Sequence, residues 1–387
     1  MTVSKVRTAA RAAIVAQAAA EVAPIADTLR AADTRSAWRH LLALESVAEI
    51  VAAPFRTERG TGAIRHTVAV VEGLGVGGLG PGLCYALTSQ LFGIQWPLAG
   101  LGALSGAVQH AVCTGEQILC HALTEEGGGS DPLSMRTEAI PDPTCPSDYV
   151  LRGGKAFVTA APIADLALTF ARTAPGRSPF ALTAFLVPTD SPGVTRSAPL
   201  AKLALTEIPM GNLDFDQVRL PARAAVTPEG AGMALLMDTT TWERALLFSY
   251  AIGIMQRRLD QLCARLRERE QFGRPLGASP LVAGRVADLA ILLLRMRSLI
   301  ASIAEEVDSA TPLRVLANRA AMVKISCAQD LAAFEAGAGL LTGVRAVIAD
   351  SGLTADPTSG LAASIYAGTN DLLRIGIARD LGLPVEN

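Results

Sequence analysis

Thr124-Glu125-Glu126-Gly127-Gly128-Gly129-Ser130-Asp131 marks the point where the texture of this 387-residue chain changes. Upstream, to about residue 115, apolar residues recur at helical spacing, and Gly and Pro clusters divide the sequence into helices at 9–32, 35–52, 66–72, 85–92 and 99–113. Downstream, to about residue 222, runs at 148–159, 165–172, 180–187 and 212–220 alternate or are β-branched and are bounded by Pro, Gly and Asp. Gly153-Gly154 inside the first run reads as a hairpin turn, and the set predicts a small sandwich or barrel. Helical spacing then returns over 232–269, 282–308, 312–341 and 362–383. The expectation is a mainly α protein with a β domain, divided at 1–117, 118–225 and 226–387.

Composition narrows the function. Half the residues are apolar and only 18% are charged, so much of the chain is buried in itself or against partner subunits. A net charge of −2 argues against capture of nucleic acid or of an anionic membrane. The six cysteines have no CxxC pair and the four histidines no ligand spacing, which predicts no metal, no disulfide framework and a cytoplasmic setting. The amino terminus lacks the apolar segment and cleavage site of a signal peptide. From Gly73 to Gly115 no Asp, Glu, Lys or Arg occurs, but Gly and Pro interrupt the stretch and Ser89, Gln90, Gln95 and Gln109 are polar. Buried helices are expected there, with no membrane span.

Three consecutive glycines let a backbone approach a ligand closely, and exposed N–H groups there suit a pyrophosphate. Some thirty residues on, the strand ending Lys155-Ala156-Phe157-Val158-Thr159 offers a ring face and a hydroxyl to a planar cofactor, although Phe157 taken alone reads as core. The helix end at Arg269-Glu270-Gln271-Phe272-Gly273 taken alone is a solvated, charged terminus.

Together these segments resemble the acyl-CoA dehydrogenase family. Thr-Glu-x-Gly-x-Gly-Ser-Asp stands before the β region and Asp214-Phe215-Asp216-Gln217-Val218-Arg219-Leu220-Pro221 at its close. Arg-x-Gln-Phe-Gly follows a long helix, and Ile365-Tyr366-Ala367-Gly368-Thr369 lies near the carboxyl end, in the family's order. The resemblance implies an amino-terminal helical domain, a middle β-barrel or sandwich, a carboxy-terminal four-helix bundle and bound FAD. It implies that Thr124 and Thr159 hydrogen-bond the isoalloxazine, that Phe157 replaces the usual tryptophan against it, and that Ser130 lies near the flavin phosphates. Arg269, Gln271 and Phe272 match the stretch that reaches the FAD of a neighbouring subunit, and Thr369 and Asp371 match further FAD contacts. A homo-oligomer, dimer or tetramer, follows, as does an electron-transfer flavoprotein or similar acceptor. Two departures stand out: Leu340-Leu341-Thr342-Gly343-Val344 replaces the Gln-x-x-Gly-Gly element, and Glu126 replaces the proline after Thr-Glu.

The base is also displaced. Removing a weakly acidic α-proton from a thioester requires a carboxylate in a dry pocket and hydrogen bonds on the carbonyl. Most relatives carry that acid after the tyrosine; here the residue is Ala367, which offers only its backbone N–H. A minority, including isovaleryl- and long-chain acyl-CoA dehydrogenases, carry it on the long helix, where Glu243 matches. Asp238, Glu243 and Arg244 are the only charges between Met237 and Met255. Phe92, Gln95 and Trp96 match the far end of the acyl pocket, and Arg244 and Tyr366 complete the substrate set. The Trp242-Glu243-Arg244 context resembles secondary-metabolism dehydrogenases acting on acyl-CoA or acyl-carrier-protein thioesters, prolyl-carrier-protein dehydrogenases among them. The expected reaction is FAD-dependent dehydrogenation of a short acyl thioester. A γ,δ desaturase, an oxidase, a flavin monooxygenase and a non-enzymatic helical binding protein remain the alternatives.

Overall fold

The computed structural model describes residues 3–56, 62–348 and 356–385. Eight helices come first: α1 (Val3–Val22), α2 (Ala26–Ala31), α3 (Thr34–Leu42), α4 (Glu45–Ala52), α5 (Ala63–Gly77), α6 (Pro81–Gln90), α7 (Trp96–Gly100) and α8 (Gly106–Cys113). Local chemistry sets several starts. The Asp33 carboxylate accepts the Ser36 N–H to cap α3, Ser105 caps α8, and Pro81 opens α6, where its missing N–H leaves no bond unmade. Expected helices 9–32 and 35–52 are each two shorter ones. The charge-free stretch from Gly73 forms α5's end, α6, α7 and α8, largely buried in the core. Among the described residues no helix is long and apolar enough to cross a membrane.

One turn in this region departs from the α pattern. Leu91–Gln95 is π-helical, joins α6 to α7 without a break, and is wholly buried. Such single turns put an extra residue into the helix and shift the side chains beyond it.

The middle region is a curled seven-stranded sheet of β1 (Leu119–Ala122), β2 (Glu138–Pro141), β3 (Tyr149–Thr159), β4 (Leu166–Arg172), β5 (Leu182–Pro188), β6 (Val194–Arg196) and β7 (Met210–Leu220). The long antiparallel pair β3–β7 runs through its middle; β1 pairs β4 in parallel, and β5 flanks β4 antiparallel. The expected hairpin at Gly153-Gly154 is not a turn, because β3 continues through it as one strand. The register against β7 slips between Leu151 and Gly153, where Asp216 and Gln217 of β7 oppose Arg152 alone, so the bulge lies on the partner strand beside the glycines. Gly153 has φ +123°, and a Cβ there would press on the Thr137 backbone. The pair supplies the required backbone freedom without reversing the chain.

Helices return as α9 (Gly232–Leu246) and α10 (Ser249–Glu268), followed by a two-stranded hairpin of β8 (Glu270–Gln271) and β9 (Arg274–Pro275). Then come α11 (Pro280–Asp308), α12 (Leu313–Thr342), α13 (Pro357–Ala363) and α14 (Asn370–Asp380). The helix expected over 232–269 is interrupted at Leu247-Phe248, where Tyr250 and Ala251 donate three residues back. Neither Pro nor Gly signals the break; buried aromatic packing of Phe248 and Tyr250 accompanies it. The helix expected over 362–383 is also divided, with Tyr366 to Thr369 forming an open loop between α13 and α14.

Close approach of α5 to α10 fixes the two helical regions together. A Cβ on Gly253 would overlap the Glu72 carbonyl oxygen, and one on Gly75 would lie 2.8 Å from the Ile254 nitrogen. Gly253→Ala is therefore expected to lower stability by about 1–3 kcal/mol through overpacking, read as a lower chemical-denaturation midpoint, whereas the exposed and uncrowded Gly284→Ala should not.

Candidate active site

Helix α9 projects Glu243 into a cavity of about 100 Å³ between the helices and the sheet. Tyr85, Ser89 and Ile94 line its helical side, and His121, Phe157 and Thr159 its sheet side. The Ser89 hydroxyl donates to Glu243 Oε1 at 3.3 Å. Burial pushes the Glu243 carboxyl up to about 7, against the opposing pull of the Ser89 hydrogen bond and the Arg244 guanidinium. Near neutrality this group exists in both forms, as a proton acceptor requires.

Consecutive residues of α9 act on different parts of the site. Trp242 stacks on Phe92 at 6.2 Å and on Trp96 at 5.5 Å, with ring planes 8° and 18° apart. Arg244 turns to the loop after α13 and donates from Nε to the Ala367 carbonyl at 2.9 Å. That loop is held from the other side by Lys324 of α12, which donates to Gly368 O at 2.9 Å and Asn370 Oδ1 at 2.8 Å. Burial, with Arg244 and Arg374 nearby, brings the Lys324 ammonium down to about 7. Ala367 sits at φ +55°, and its N–H has no partner among the described residues.

Phe157 is not a core residue, contrary to what its apolar neighbours suggest. It is 55% exposed, at φ +58°, with its N–H bonded to Asn212 Oδ1 at 3.1 Å. A left-handed backbone at a bulky residue is uncommon, and here it turns a ring toward the cavity. Thr124 lies at the start of a tight loop closed by Glu125 N to Gly128 O at 3.1 Å and the reverse bond at 3.0 Å. Glu125 anchors the loop by accepting from Arg136 N, Thr137 N and the buried Lys155 ammonium at 3.0 Å. Gly127 and Gly128 have open space where a Cβ would stand, leaving the loop backbone accessible. An exposed ring, a neighbouring hydroxyl and an open glycine backbone fit a planar cofactor with a diphosphate.

Several expected residues stand elsewhere. Phe92, Gln95 and Trp96 do not line the Glu243 cavity; Ala86, Ser89, Gln90 and Ile94 do. The three are buried away from it, and Phe92 and Trp96 stack on Trp242. Tyr366 also stands behind the wall, 5.1 Å from the Tyr85 ring and with its hydroxyl 3.0 Å from that of Tyr250. Thr369 caps α14 through the Leu372 N–H, and Asp371 is exposed and paired to Arg374 at 2.7 Å. Arg269, Gln271 and Phe272 lie on the β8–β9 hairpin, with Phe272 fully exposed at its tip. Ser130 opens onto a second, larger groove of about 850 Å³ walled by Thr240, Arg244, Gly368 and Arg379.

Tyr85, Ser89 and His121 escaped the sequence reading. Their only sequence signal was polarity within apolar segments, and a core residue gives the same one. The His121 Nε2 lies 3.2 Å from Thr239 Oγ1, and burial lowers its imidazole to about 4, so it is neutral near pH 7.

Family models agree with this geometry: the acyl-CoA dehydrogenase middle domain matches residues 120–218 and the acyl-CoA dehydrogenase C-terminal domain residues 230–382. An L-prolyl-[peptidyl-carrier protein] dehydrogenase of Pseudomonas fluorescens is 30% identical over 327 residues, 84% of this chain and 84% of its own length. A cyclohex-1-ene-1-carbonyl-CoA dehydrogenase of Geobacter metallireducens is 30% identical, covering 70% of each chain. The crystal structure of the prolyl acyl carrier protein oxidase AnaB superposes with a TM-score of 0.86 at 24% identity over 99% of this chain and 100% of its own. The FAD complex of PigA does so at 0.85 and 25% over 100% of both. This chain belongs to the acyl-CoA dehydrogenase family. It is an FAD-dependent oxidoreductase acting on CH–CH bonds of an acyl thioester.

Asn212 fixes the unusual Phe157 backbone. Asn212→Ala should weaken FAD retention by about tenfold, the loss of one hydrogen bond of about 1 kcal/mol plus ring disorder. The ratio of flavin to protein absorbance after dialysis measures it.

Proposed function

We propose that Glu243 is the base that takes the α-proton of a short acyl thioester, and that the thioester is carried by a carrier protein or CoA in secondary metabolism. The observation that carries this reading is a buried carboxylate in the same cavity as Phe157 and Thr159, while position 367 has no acid. FAD, when bound, supplies the acceptor for the hydride that leaves the β-carbon. The chain's own residues do the rest. Ionised Glu243 takes the α-proton as the Cα–Cβ double bond forms, with Ser89 holding its carboxylate. The Ala367 N–H donates to the thioester carbonyl and stabilises charge developing on its oxygen. Arg244 and Lys324 tie down the loop that carries it, through the carbonyls of Ala367 and Gly368.

The groove walled by Arg244 and Gly368 suits the arm of the thioester, because Arg244 follows Glu243 on α9 and Gly368 follows Ala367. The cavity is small, and three polar side chains, Ser89, Gln90 and His121, line it beside Glu243. A compact acyl group fits better than a long alkyl chain. A prolyl group on a carrier protein is the substrate we favour, given the two L-prolyl-[peptidyl-carrier protein] dehydrogenases that are 30% and 29% identical to this chain.

Four further parts of the reading belong with it. Phe157, Thr159, Thr124 and Ser130 would hold FAD from within the chain. The bare Phe272 tip and the exposed Arg269 and Gln271 supply the neighbour's contact in a homo-oligomer. An electron-transfer flavoprotein or similar acceptor would reoxidise the flavin, in a cytoplasm suited to the six free cysteines. Boundaries at 1–117, 118–225 and 226–387 divide the chain into its helical, β and helical units.

Anaerobic addition of prolyl-carrier protein, or of short acyl-CoA thioesters, should bleach the bound flavin and yield a product two mass units lighter. An enzyme that needs reduced flavin and oxygen would leave the flavin oxidised, which would end the proposal. Glu243→Gln should retain FAD and lose bleaching by at least ~10³-fold. The wild-type rate should rise with pH through about 7, because the base works only when deprotonated and burial raises its carboxyl to about 7. A flat profile between pH 6 and 8 would remove Glu243 from that role.

A further inference from the structure

Gly93 lies at the centre of the π-helical turn Leu91–Gln95, against the end of the Glu243 side chain. A Cβ built on Gly93 would stand 2.5 Å from Glu243 Oε1, 3.0 Å from Cδ and 3.1 Å from Cγ. Real Cβ atoms do not approach an oxygen that closely, so any other residue would expel the carboxylate from its place. Ser89, four residues earlier, donates to the same Oε1. The carboxylate therefore rests on two consecutive turns of one helix, on a hydroxyl and on a bare backbone.

The rest of the π turn serves the same arrangement. Phe92 and Trp96, on either side of the glycine, close on Trp242, the residue before Glu243. Four residues separate these two aromatics. The α6–π turn–α7 segment thus grips α9 by an indole and seats the next side chain at a glycine.

We propose that Gly93 is a positioning residue for the base, its bare backbone seating the Glu243 carboxylate while Phe92 and Trp96 hold Trp242. This rests on the reading of Glu243 as the base. Ser89, Phe92, Gly93 and Trp96 are spaced i, i+3, i+4 and i+7, which puts the hydroxyl, the glycine and the aromatic pair on one face toward α9.

The test is a double-mutant cycle of Gly93→Ala and Glu243→Asp, read by the anaerobic flavin-reduction rate with a prolyl- or acyl-thioester. Flavin absorbance and the thermal midpoint control for folding, and Glu243→Gln sets the residual rate. Gly93→Ala alone should retain FAD and slow reduction by on the order of 10–100-fold, as a displaced catalytic group does. Aspartate is one methylene shorter and loses the closest contact with the new methyl, the one at Oε1. On the Glu243→Asp background Gly93→Ala should therefore slow reduction less than about 3-fold, with both rates above the residual one. A purely structural glycine would give the same penalty on both backgrounds, and that outcome overturns the proposal. So does a wild-type rate in Gly93→Ala while Glu243→Gln is inactive. Bleaching retained in Glu243→Gln would instead overturn the assignment of the base, and the role of Gly93 with it.

Discussion

A carboxylate that must be dry enough to be basic, yet ionised often enough to accept a proton, sets the terms for everything around it. Burial alone drives a carboxyl toward the neutral form, by several pKa units in the limit. Here the rise stops at about 7 because one hydroxyl and one neighbouring guanidinium oppose it. Arg244 does not form a close ion pair with Glu243; its Nε is committed to the Ala367 carbonyl. A direct pair would drive the carboxyl pKa down and weaken the base. Engaging the arginine elsewhere keeps its field and removes its contact.

Two of the chain's four lysines serve as internal ties on either side of this centre. Lys155 is fully buried and binds Glu125 and the Leu123 carbonyl, which fixes the glycine loop to the sheet. Lys324 is equally buried but has no carboxylate at hydrogen-bond distance, only the Gly368 carbonyl and the Asn370 amide oxygen. Desolvation of a lone ammonium is unfavourable, which is why its pKa falls to about 7. What that achieves is geometric: the loop that carries Ala367 is attached to the long central helix α12 and to α9 at once. The loop itself has no regular secondary structure to hold it.

Much of this was legible in the sequence, and the failures share a cause. The helix–strand–helix order, the family and the candidate base all follow from residue types at fixed spacing, which periodicity and ordered motifs preserve. Gly153-Gly154 was misread because glycine marks positive φ without saying whether the chain reverses; only the partner strand's register decides that. Phe157 looked like core because its neighbours are apolar, whereas its exposure comes from a backbone twist held by Asn212, 55 residues away. Phe92 and Trp96 were assigned to the acyl pocket by family position, and no local signal in Leu91-Phe92-Gly93-Ile94-Gln95 announces that both rings stack on Trp242. Contacts between distant segments set backbone geometry that composition and spacing do not encode.

With the base on the helix, as proposed, the loop has a different task. A loop that carries the acid must aim a flexible carboxylate; one that carries only an N–H must aim a backbone, and a backbone is aimed by its dihedrals. Ala367 accordingly adopts φ +55°, which a residue with a Cβ occupies at about 1–2 kcal/mol. Glycine would relieve that strain but would leave the peptide free to turn. The two donors on the carbonyls of residues 367 and 368 offset the strain and fix the two peptide planes that follow Ala367. They also draw electron density toward those oxygens, which makes the N–H groups of Gly368 and Thr369 stronger donors. The acid absent at position 367 is thus balanced by donors supplied from α9 and α12, and one of them is the immediate neighbour of the proposed base.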